Sequence, residues 1–180
     1  LFVGNRKKHK NIKGLVEAFS SIKDRINHNL VIAGSKDRNI DDIDVLKRNL
    51  NLESRVIELV SPDDETIINL YQNADLFIFP SFFEGFGLPP LEAIACGCPV
   101  IASNAPVLKE ILGEEIACFN PYDVNYMAQK ILYGLNNKDR LLKIGKERLE
   151  RFNKEYIVQQ FVDLFISLGK SGKDESFAPR

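Results

Sequence analysis

The chain has 180 residues, of which 44% are hydrophobic and 27% charged, as is typical of a soluble globular protein of one domain or of one domain with a tail. The formal net charge of −1 gives no reason to expect nucleic acid or an anionic membrane as a partner. Three cysteines are too few for a disulfide scaffold and lie far in sequence from both histidines, which disfavours a zinc site and favours reduced thiols, as in a cytosolic protein.

The first half of the chain alternates short apolar runs with segments of helical periodicity. Strands are predicted at residues 1–3, 30–33 and 56–60. Apolar residues at a 3.6-residue period predict a helix that begins after Asn11, its expected N-cap, and a second helix near residues 43–50. A third helix is predicted with Ser61 as its N-cap, Pro62 at the first helical position and Asp64 completing a capping box.

The second half continues the alternation. An apolar run at 75–80 predicts a buried strand, followed by a helix that begins at about Leu88 and ends at Gly97. Strands at 99–102 and 116–119 flank a short helix at 107–112, and the pattern is helical from Asp123 onward. The last apolar positions of these C-terminal helices are Ile157, Phe161, Leu164 and Phe165.

We expect the domain to cover residues 1–168, and the polar residues 169–180 to form a disordered tail. The chain begins inside an apparent strand, and its single methionine is Met127. We therefore expect further sequence, with a further domain, to precede Leu1.

Six strands that alternate with helices predict an α/β fold, with a Rossmann-like, doubly wound parallel sheet, helices on both faces and additional C-terminal helices. Such sheets bind ligands beyond the carboxyl ends of their strands. The loops at 4–10, 34–36, 60–61, 80–88 and 102–106 should all lie at that edge, so a site built from several loops is expected there.

The loop at 80–88 has the composition of a ligand site. It contains Glu84 and two glycines, and Glu92 follows Glu84 by eight positions. A glycine loop that opens a helix presents free N–H groups and a positive dipole end, which suit a phosphate. Carboxylates beside such a site should bind hydroxyl groups, and sugar hydroxyls beside a phosphate indicate a nucleotide sugar. Pro90 stands where a dinucleotide-binding loop has its third glycine, which disfavours NAD.

A basic loop at 6–10 supplies candidate cations for the phosphate. Lys10 is the best placed because it adjoins the start of the first helix, and Arg6 is the second candidate. Tyr71 is expected in the core, and Phe82 and Phe83 are expected to pack beneath the glycine loop. The sequence has no Ser/His/Asp signature, so hydrolysis is not indicated, and metal-dependent transfer is not expected either.

The stretch Glu84-Gly-Phe-Gly-Leu-Pro-Pro-Leu-Glu92-Ala resembles the E-x7-E signature of the retaining family 4 glycosyltransferases, which have the GT-B fold. The same pattern is matched by Pro80-Ser81, by residues 95–103 and Glu110, and by Val3-Gly4, Lys10-Asn11 and Asn73-Ala-Asp75. The resemblance spans about residues 1–168 and implies the C-terminal, donor-binding half of such an enzyme.

The resemblance implies roles for three side chains and leaves that of a fourth, Arg6, open. Glu84, the catalytic candidate, would hydrogen-bond the transferred sugar, Glu92 would bind both ribose hydroxyls, and Lys10 would bind the diphosphate. The family often has arginine directly after the glycine of the first strand, where this chain has Asn5. Either Arg6 replaces that arginine, or the phosphate depends on Lys10 alone.

Backbone groups complete the implied donor site. Phe86 and Gly87 would assist Glu84 at the sugar, the N–H of Leu88 would bind the distal phosphate, and the backbone near Val60 would hold the base. The helix dipole and a cation would neutralise the leaving diphosphate, so no metal and no further cofactor is expected.

The implied function is transfer of a sugar, with retention and without a metal, from a UDP- or GDP-linked donor to a glycan or lipid-linked acceptor. The acceptor would bind in the preceding domain, so this domain alone should transfer poorly. A cytoplasmic location is expected, and a peripheral membrane contact of the full-length enzyme stays open. Two alternatives also stay open: a GT-B nucleotide-sugar epimerase or phosphorylase, and a non-catalytic nucleotide-sugar-binding module.

Overall fold

A computed structural model describes residues 1–36, 43–113, 117–152 and 162. The strands are β1 (Phe2–Val3), β2 (Leu30–Gly34), β3 (Val56–Val60), β4 (Phe77–Phe79), β5 (Val100–Ser103) and β6 (Cys118–Phe119). The helices are α1 (Ile12–Ile22), α2 (Ile43–Asn49), α3 (Asp64–Asn73), α4 (Leu88–Ala95), α5 (Pro106–Leu112), α6 (Val124–Asn136) and α7 (Lys138–Leu149). The predicted strand position Ile116, the helical positions Ile157, Phe161, Leu164 and Phe165, and the tail at 169–180 lie outside the described residues.

Within the described residues, six strands form two parallel three-stranded sheets, in the orders β1-β2-β3 and β4-β5-β6. The backbone N–H of Ile78 donates to the carbonyl of Leu1 at 2.9 Å, which sets β4 beside β1. The resulting order across both sheets is β3-β2-β1-β4-β5-β6, the order of a doubly wound nucleotide-binding fold. The predicted fold class is therefore confirmed, although the sheet divides into two halves that meet at β1 and β4.

Helices cover the sheets in two groups. The first contains α1, which contacts α2 and α6, and the second contains α4 and α5, which both contact α7. All three residues of β4 are buried, and its Phe79 ring stacks on Phe2 of β1 with centroids 6.1 Å apart. The core therefore runs across the line where the two sheets meet, and it holds the ends of β1 and β4 in fixed positions.

The two predicted helix caps have different outcomes. Asn11 holds the N-cap position of α1 as predicted but makes no side-chain capping bond, whereas Ser61 does not cap α3. Asn11 precedes α1, but it has a left-handed backbone, and its side-chain amide donates to the carbonyl of Pro121 at 2.8 Å instead of capping the helix. Helix α3 is capped by Asp63, whose carboxylate accepts from the N–H of Thr66 at 2.9 Å. Ser61 lies two residues before Asp63, and its N–H donates to the carbonyl of Gly34 on β2, so it does not occupy the N-cap position.

Candidate functional site

The candidate site lies at the carboxyl ends of β1 and β4, where the strand order reverses. In doubly wound folds this switch point opens a crevice that binds ligands. Two loops meet here, at residues 4–10 after β1 and at 80–87 after β4. The N–H of Phe82 donates to the carbonyl of His9 at 2.8 Å, so the backbones of the two loops are joined. Two of the five loops that the sequence placed at this edge are therefore in contact.

Lys10 and Glu84 form an ion pair across these loops. The Lys10 Nζ lies 2.6 Å from the Glu84 Oε1, and each side chain is only 10% exposed. The ammonium also lies 4.9 Å from the centroid of the Phe79 ring at the end of β4, a cation–π distance. Two of the predicted site residues, 74 positions apart in sequence, are thus brought into direct contact. The pair offers an anion a positive charge and offers a hydroxyl group an acceptor.

The glycine loop ends at Gly87, which is the N-cap of α4. Its φ is 97°, and a Cβ there would lie 2.8 Å from the Leu108 Cδ2, so both conformation and space require glycine. Leu88 is the first residue of the helix and is exposed. The next two residues, Pro89 and Pro90, carry no N–H. Leu88 therefore supplies the one backbone N–H that the first three residues of α4 can offer to a ligand.

Glu92 lies one turn further along α4 and is exposed. Its Oε2 accepts a hydrogen bond of 3.1 Å from the hydroxyl of Tyr71 on α3. Tyr71 is buried, as the apolar spacing predicted, but its hydroxyl contact with a predicted site residue was missed. The available signal was the presence of a hydroxyl group at a core position where phenylalanine would fill the same space.

Arg6, the second predicted cation, is buried and pairs with Glu58 in the middle of β3. The Lys47 Nζ lies 2.8 Å and the Lys36 Nζ 3.6 Å from the same carboxylate. Burial alone would raise the pKa of Glu58, but the hydrogen bonds from Lys47 and Arg6 outweigh it and lower this pKa to about 2. Sequence reasoning missed this cluster, although a carboxylate inside an apolar strand was a signal for it.

Val60, predicted to lie near the base, ends β3 and is exposed at the same edge.

The aromatic residues of the glycine loop differ in their exposure and in their contacts. Phe82 is half-buried and stacks on Tyr122 with centroids 4.7 Å apart. Phe83 is 63% exposed and stacks on His9 at 4.8 Å. The expectation that Phe83 packs beneath the loop is therefore wrong, because its ring is largely exposed and stacks on His9 of the neighbouring basic loop.

Phe86, whose backbone was predicted to assist at the sugar, is half exposed, and its ring meets Phe152 edge to face at 6.2 Å.

Across residues 1–36, 43–113, 117–152 and 162, no three His, Cys, Asp or Glu side chains are grouped to hold a metal ion. None of the helices in the same ranges is long and apolar enough to cross a bilayer.

Known proteins match most of this chain. The family described as Glycosyl transferases group 1 matches residues 1–154. The O-antigen chain mannosyltransferase B of Escherichia coli is 34% identical over 139 residues, which are 76% of this chain and 36% of that protein. A glycosyltransferase of Methanocaldococcus jannaschii is 30% identical over 171 residues, which are 92% of this chain and 44% of that protein.

Among solved structures, the sucrose-phosphate synthase of Thermosynechococcus elongatus matches with a TM-score of 0.76 at 32% identity. The match covers 94% of this chain and 46% of that chain. The chain thus spans less than half the length of each of these three proteins. The structural match agrees with the α/β fold described above.

Proposed function

The chain belongs to the glycosyl transferases group 1 family, and we propose that it is the donor-binding, C-terminal half of a retaining GT-B glycosyltransferase that uses a nucleoside-diphosphate sugar. The observation that carries the proposal is the buried ion pair of Lys10 and Glu84 at the switch point. A cation and a carboxylate at one point match a donor in which a diphosphate is bonded directly to a sugar.

The phosphate end of the donor would contact Lys10 and the start of α4. During transfer the bond from the anomeric carbon to the diphosphate oxygen breaks, a bond to the acceptor hydroxyl oxygen forms on the same face of the sugar, and the hydroxyl proton passes to the released diphosphate. Negative charge then develops on the leaving diphosphate. The Lys10 ammonium and the Leu88 N–H are fixed groups that stabilise this charge, and together they would replace a metal ion.

The hydroxyl groups of the donor would contact the two glutamates. Glu84, next to Lys10, would accept hydrogen bonds from the transferred sugar, assisted by the backbone of Phe86 and Gly87. Glu92, exposed on α4, would accept from both ribose hydroxyls. A carboxylate has two acceptor oxygens, which suits a pair of neighbouring hydroxyl groups.

The remaining predicted contacts are the base and the second cation. The exposed end of β3 at Val60 would leave backbone groups for the base. Arg6 is held by Glu58, so we assign the diphosphate chiefly to Lys10 and leave Arg6 a supporting electrostatic role at the same loop.

The acceptor and the setting of the reaction are also proposals. We propose a glycan or lipid-linked acceptor because the E. coli relative is named as an O-antigen mannosyltransferase. The chain spans less than half of its relatives, so the acceptor would bind outside residues 1–168. The cytoplasmic location and the peripheral membrane contact stay predictions.

The test is a calorimetric titration of this chain with UDP and with GDP. We expect one of them to bind, and we expect Glu92→Ala to weaken that binding by about 1–3 kcal/mol because a charged hydrogen-bond acceptor is lost. Glu147→Ala removes an exposed glutamate from α7 and should leave the affinity unchanged. If the wild-type chain binds neither nucleotide, the proposal is wrong.

Product analysis of the full-length protein then separates the reactions that share this fold. Transfer predicts a glycosylated acceptor, whereas an epimerised donor or a free sugar phosphate would indicate one of the alternatives. Binding without any turnover, even with an acceptor domain present, would indicate a non-catalytic module.

A further inference from the structure

Tyr71 joins the core of the domain to the candidate ribose site. It lies on α3 and is 1% exposed. Its ring meets Phe77 of β4 edge to face, with centroids 5.4 Å apart and an angle of 74° between the planes. The core therefore fixes the position of this ring, and the fixed ring determines where the hydroxyl group lies.

The hydroxyl of Tyr71 reaches out of the core to the exposed carboxylate of Glu92, at 3.1 Å from Oε2. Burial and the negative charge of Glu92 raise the pKa of Tyr71 above its ordinary value. The phenol therefore stays protonated and is the donor in this hydrogen bond. An exposed glutamate on a helix otherwise samples several rotamers, and a donor held by the core selects one of them.

This bond leaves Glu92 able to accept further hydrogen bonds. A carboxylate has two oxygens with about four acceptor sites, and Tyr71 uses one site on Oε2. The remaining sites can accept from two neighbouring hydroxyl groups. The geometry thus combines an oriented carboxylate with free acceptor capacity.

We propose that Tyr71 is a positioning residue that orients Glu92 toward the ribose, and that it thereby sets the preference of this chain for ribonucleotides over 2′-deoxyribonucleotides. The inference rests on the proposed function, because it requires Glu92 to bind the ribose. In this proposal Tyr71 acts through its hydrogen bond to Glu92 and makes no contact with the ligand.

The test compares the ribonucleotide that binds, UDP or GDP, with its 2′-deoxy counterpart on four chains: wild type, Tyr71→Phe, Glu92→Gln and the double variant. Tyr71→Phe keeps the ring and removes only the hydroxyl. We expect it to weaken ribonucleotide binding about three- to tenfold, less than the loss of a direct hydrogen bond to a charged group because Tyr71 acts only through Glu92, and to change 2′-deoxyribonucleotide binding much less.

The ratio of the two affinities separates positioning from simple stabilisation. A variant that is partly unfolded loses both affinities in the same proportion, so its ratio stays that of the wild type. In the Glu92→Gln background, Tyr71→Phe should cause little further change in the ratio, because the carboxylate that it orients is already gone. Tyr126→Phe, an exposed tyrosine on α6, is the matched control and should behave as the wild type.

Three outcomes would overturn a proposal, and they are distinguishable. If the wild type prefers the ribonucleotide and Tyr71→Phe keeps that preference, Tyr71 does not position Glu92, while the donor proposal stands. If Tyr71→Phe changes the ratio equally in the wild-type and Glu92→Gln backgrounds, Tyr71 acts on the ribose by another route. If the wild type binds neither nucleotide, the donor proposal fails and the inference fails with it.

Discussion

Two carboxylates near the ligand-binding edge, Glu84 and Glu58, are both paired with cations, but they differ in how many cations they hold. Glu84 lies on the glycine loop and pairs with Lys10. Glu58 lies within β3 and has three cations within 4 Å: Arg6 from the loop after β1, Lys36 after β2, and Lys47 on α2. Their side chains are equally buried, at 10% exposure.

The number of partners indicates what each carboxylate can do. Glu58 joins three separate segments. A ligand that displaced any one of its cations would leave the other two bound to Glu58. A structural role therefore fits it best. At the switch point, by contrast, a phosphate can pair with Lys10 in place of Glu84, while a hydroxyl group donates a hydrogen bond to Glu84 in place of Lys10. In the free chain these two buried charges pair with each other. When a donor binds, each charge pairs with a ligand group instead, so neither is left unpaired.

The substitution Lys10→Met tests this comparison with the largest expected effect. Methionine keeps an apolar stem over Phe79 but removes the charge that would bind the diphosphate. We expect the affinity for UDP or GDP, measured by calorimetry, to fall about 10- to 100-fold, as for loss of a charge-assisted hydrogen bond.

Two further variants show whether the effect belongs to this pair. Lys13→Met removes a lysine whose side chain is 77% exposed, and it should leave the affinity unchanged. Arg6→Met should weaken binding less than Lys10→Met does. An equal loss in Arg6→Met would contradict the comparison, because the Glu58 cluster would then belong to the phosphate site.

The substitution Glu58→Gln should affect stability more than binding. It leaves Arg6 and Lys47 with a neutral acceptor inside the fold, so we expect the free energy of unfolding at pH 7 to fall by about 1–3 kcal/mol in chemical denaturation. Glu17→Gln, whose carboxylate lies 3.8 Å from the exposed Lys13, should change stability by about 0–0.5 kcal/mol. A large loss of nucleotide affinity in Glu58→Gln would contradict the structural role.

The pH dependence of stability gives an independent measure of the same cluster. Because the pKa of Glu58 is lowered from 4.5 to about 2, its contribution is fully present above pH 4.5 and is lost as the pH falls toward 2. The unfolding free energies of the wild type and of Glu58→Gln should therefore converge over this interval. Parallel curves between pH 4.5 and pH 2 would mean that Glu58 is not the responsible group.

The sequence predicted the parts of the fold that depend on local pattern. Apolar runs located the six strands found in the part of the chain that the structure describes, and the bounds of α4 followed from the glycine loop and Gly97. The cap of α3 was missed because Ser61 and Asp63 are both good caps, and the choice depends on a backbone hydrogen bond from Ser61 to Gly34 on another strand. Such a contact between distant segments leaves no local pattern to detect.

The sequence predicted which loops lie at the candidate site, but not which of their residues pair with one another. The rule for parallel sheets places Lys10 and Glu84 at one edge, yet their contact spans 74 positions and depends on how two loops pack. Arg6 illustrates the limit, because the carboxylate that holds it, Glu58, lies on β3, and the basic loop alone does not indicate this partner. Whether these residues bind a donor stays a prediction.

The substitution Gly87→Ala has the smallest expected effect and tests the loop that carries Glu84. Alanine at a φ of 97° is strained, and its Cβ would lie 2.8 Å from the Leu108 Cδ2. We expect the free energy of unfolding to fall by about 1–2 kcal/mol, the usual cost of a side chain in a left-handed conformation. Nucleotide affinity should fall a few-fold as well, because relief of the clash moves the adjacent Leu88 N–H.

Gly85→Ala is the matched control, since it lies on the same loop and a Cβ there has no heavy atom within 4 Å. It should leave both stability and affinity close to wild type. If Gly85→Ala weakens nucleotide binding as much as Gly87→Ala does, the loop needs general flexibility and not one fixed conformation. The pair of Lys10 and Glu84 would then be mobile as well. In that case the pair would differ from the Glu58 cluster mainly because it is less rigid, and less because it has fewer charged partners.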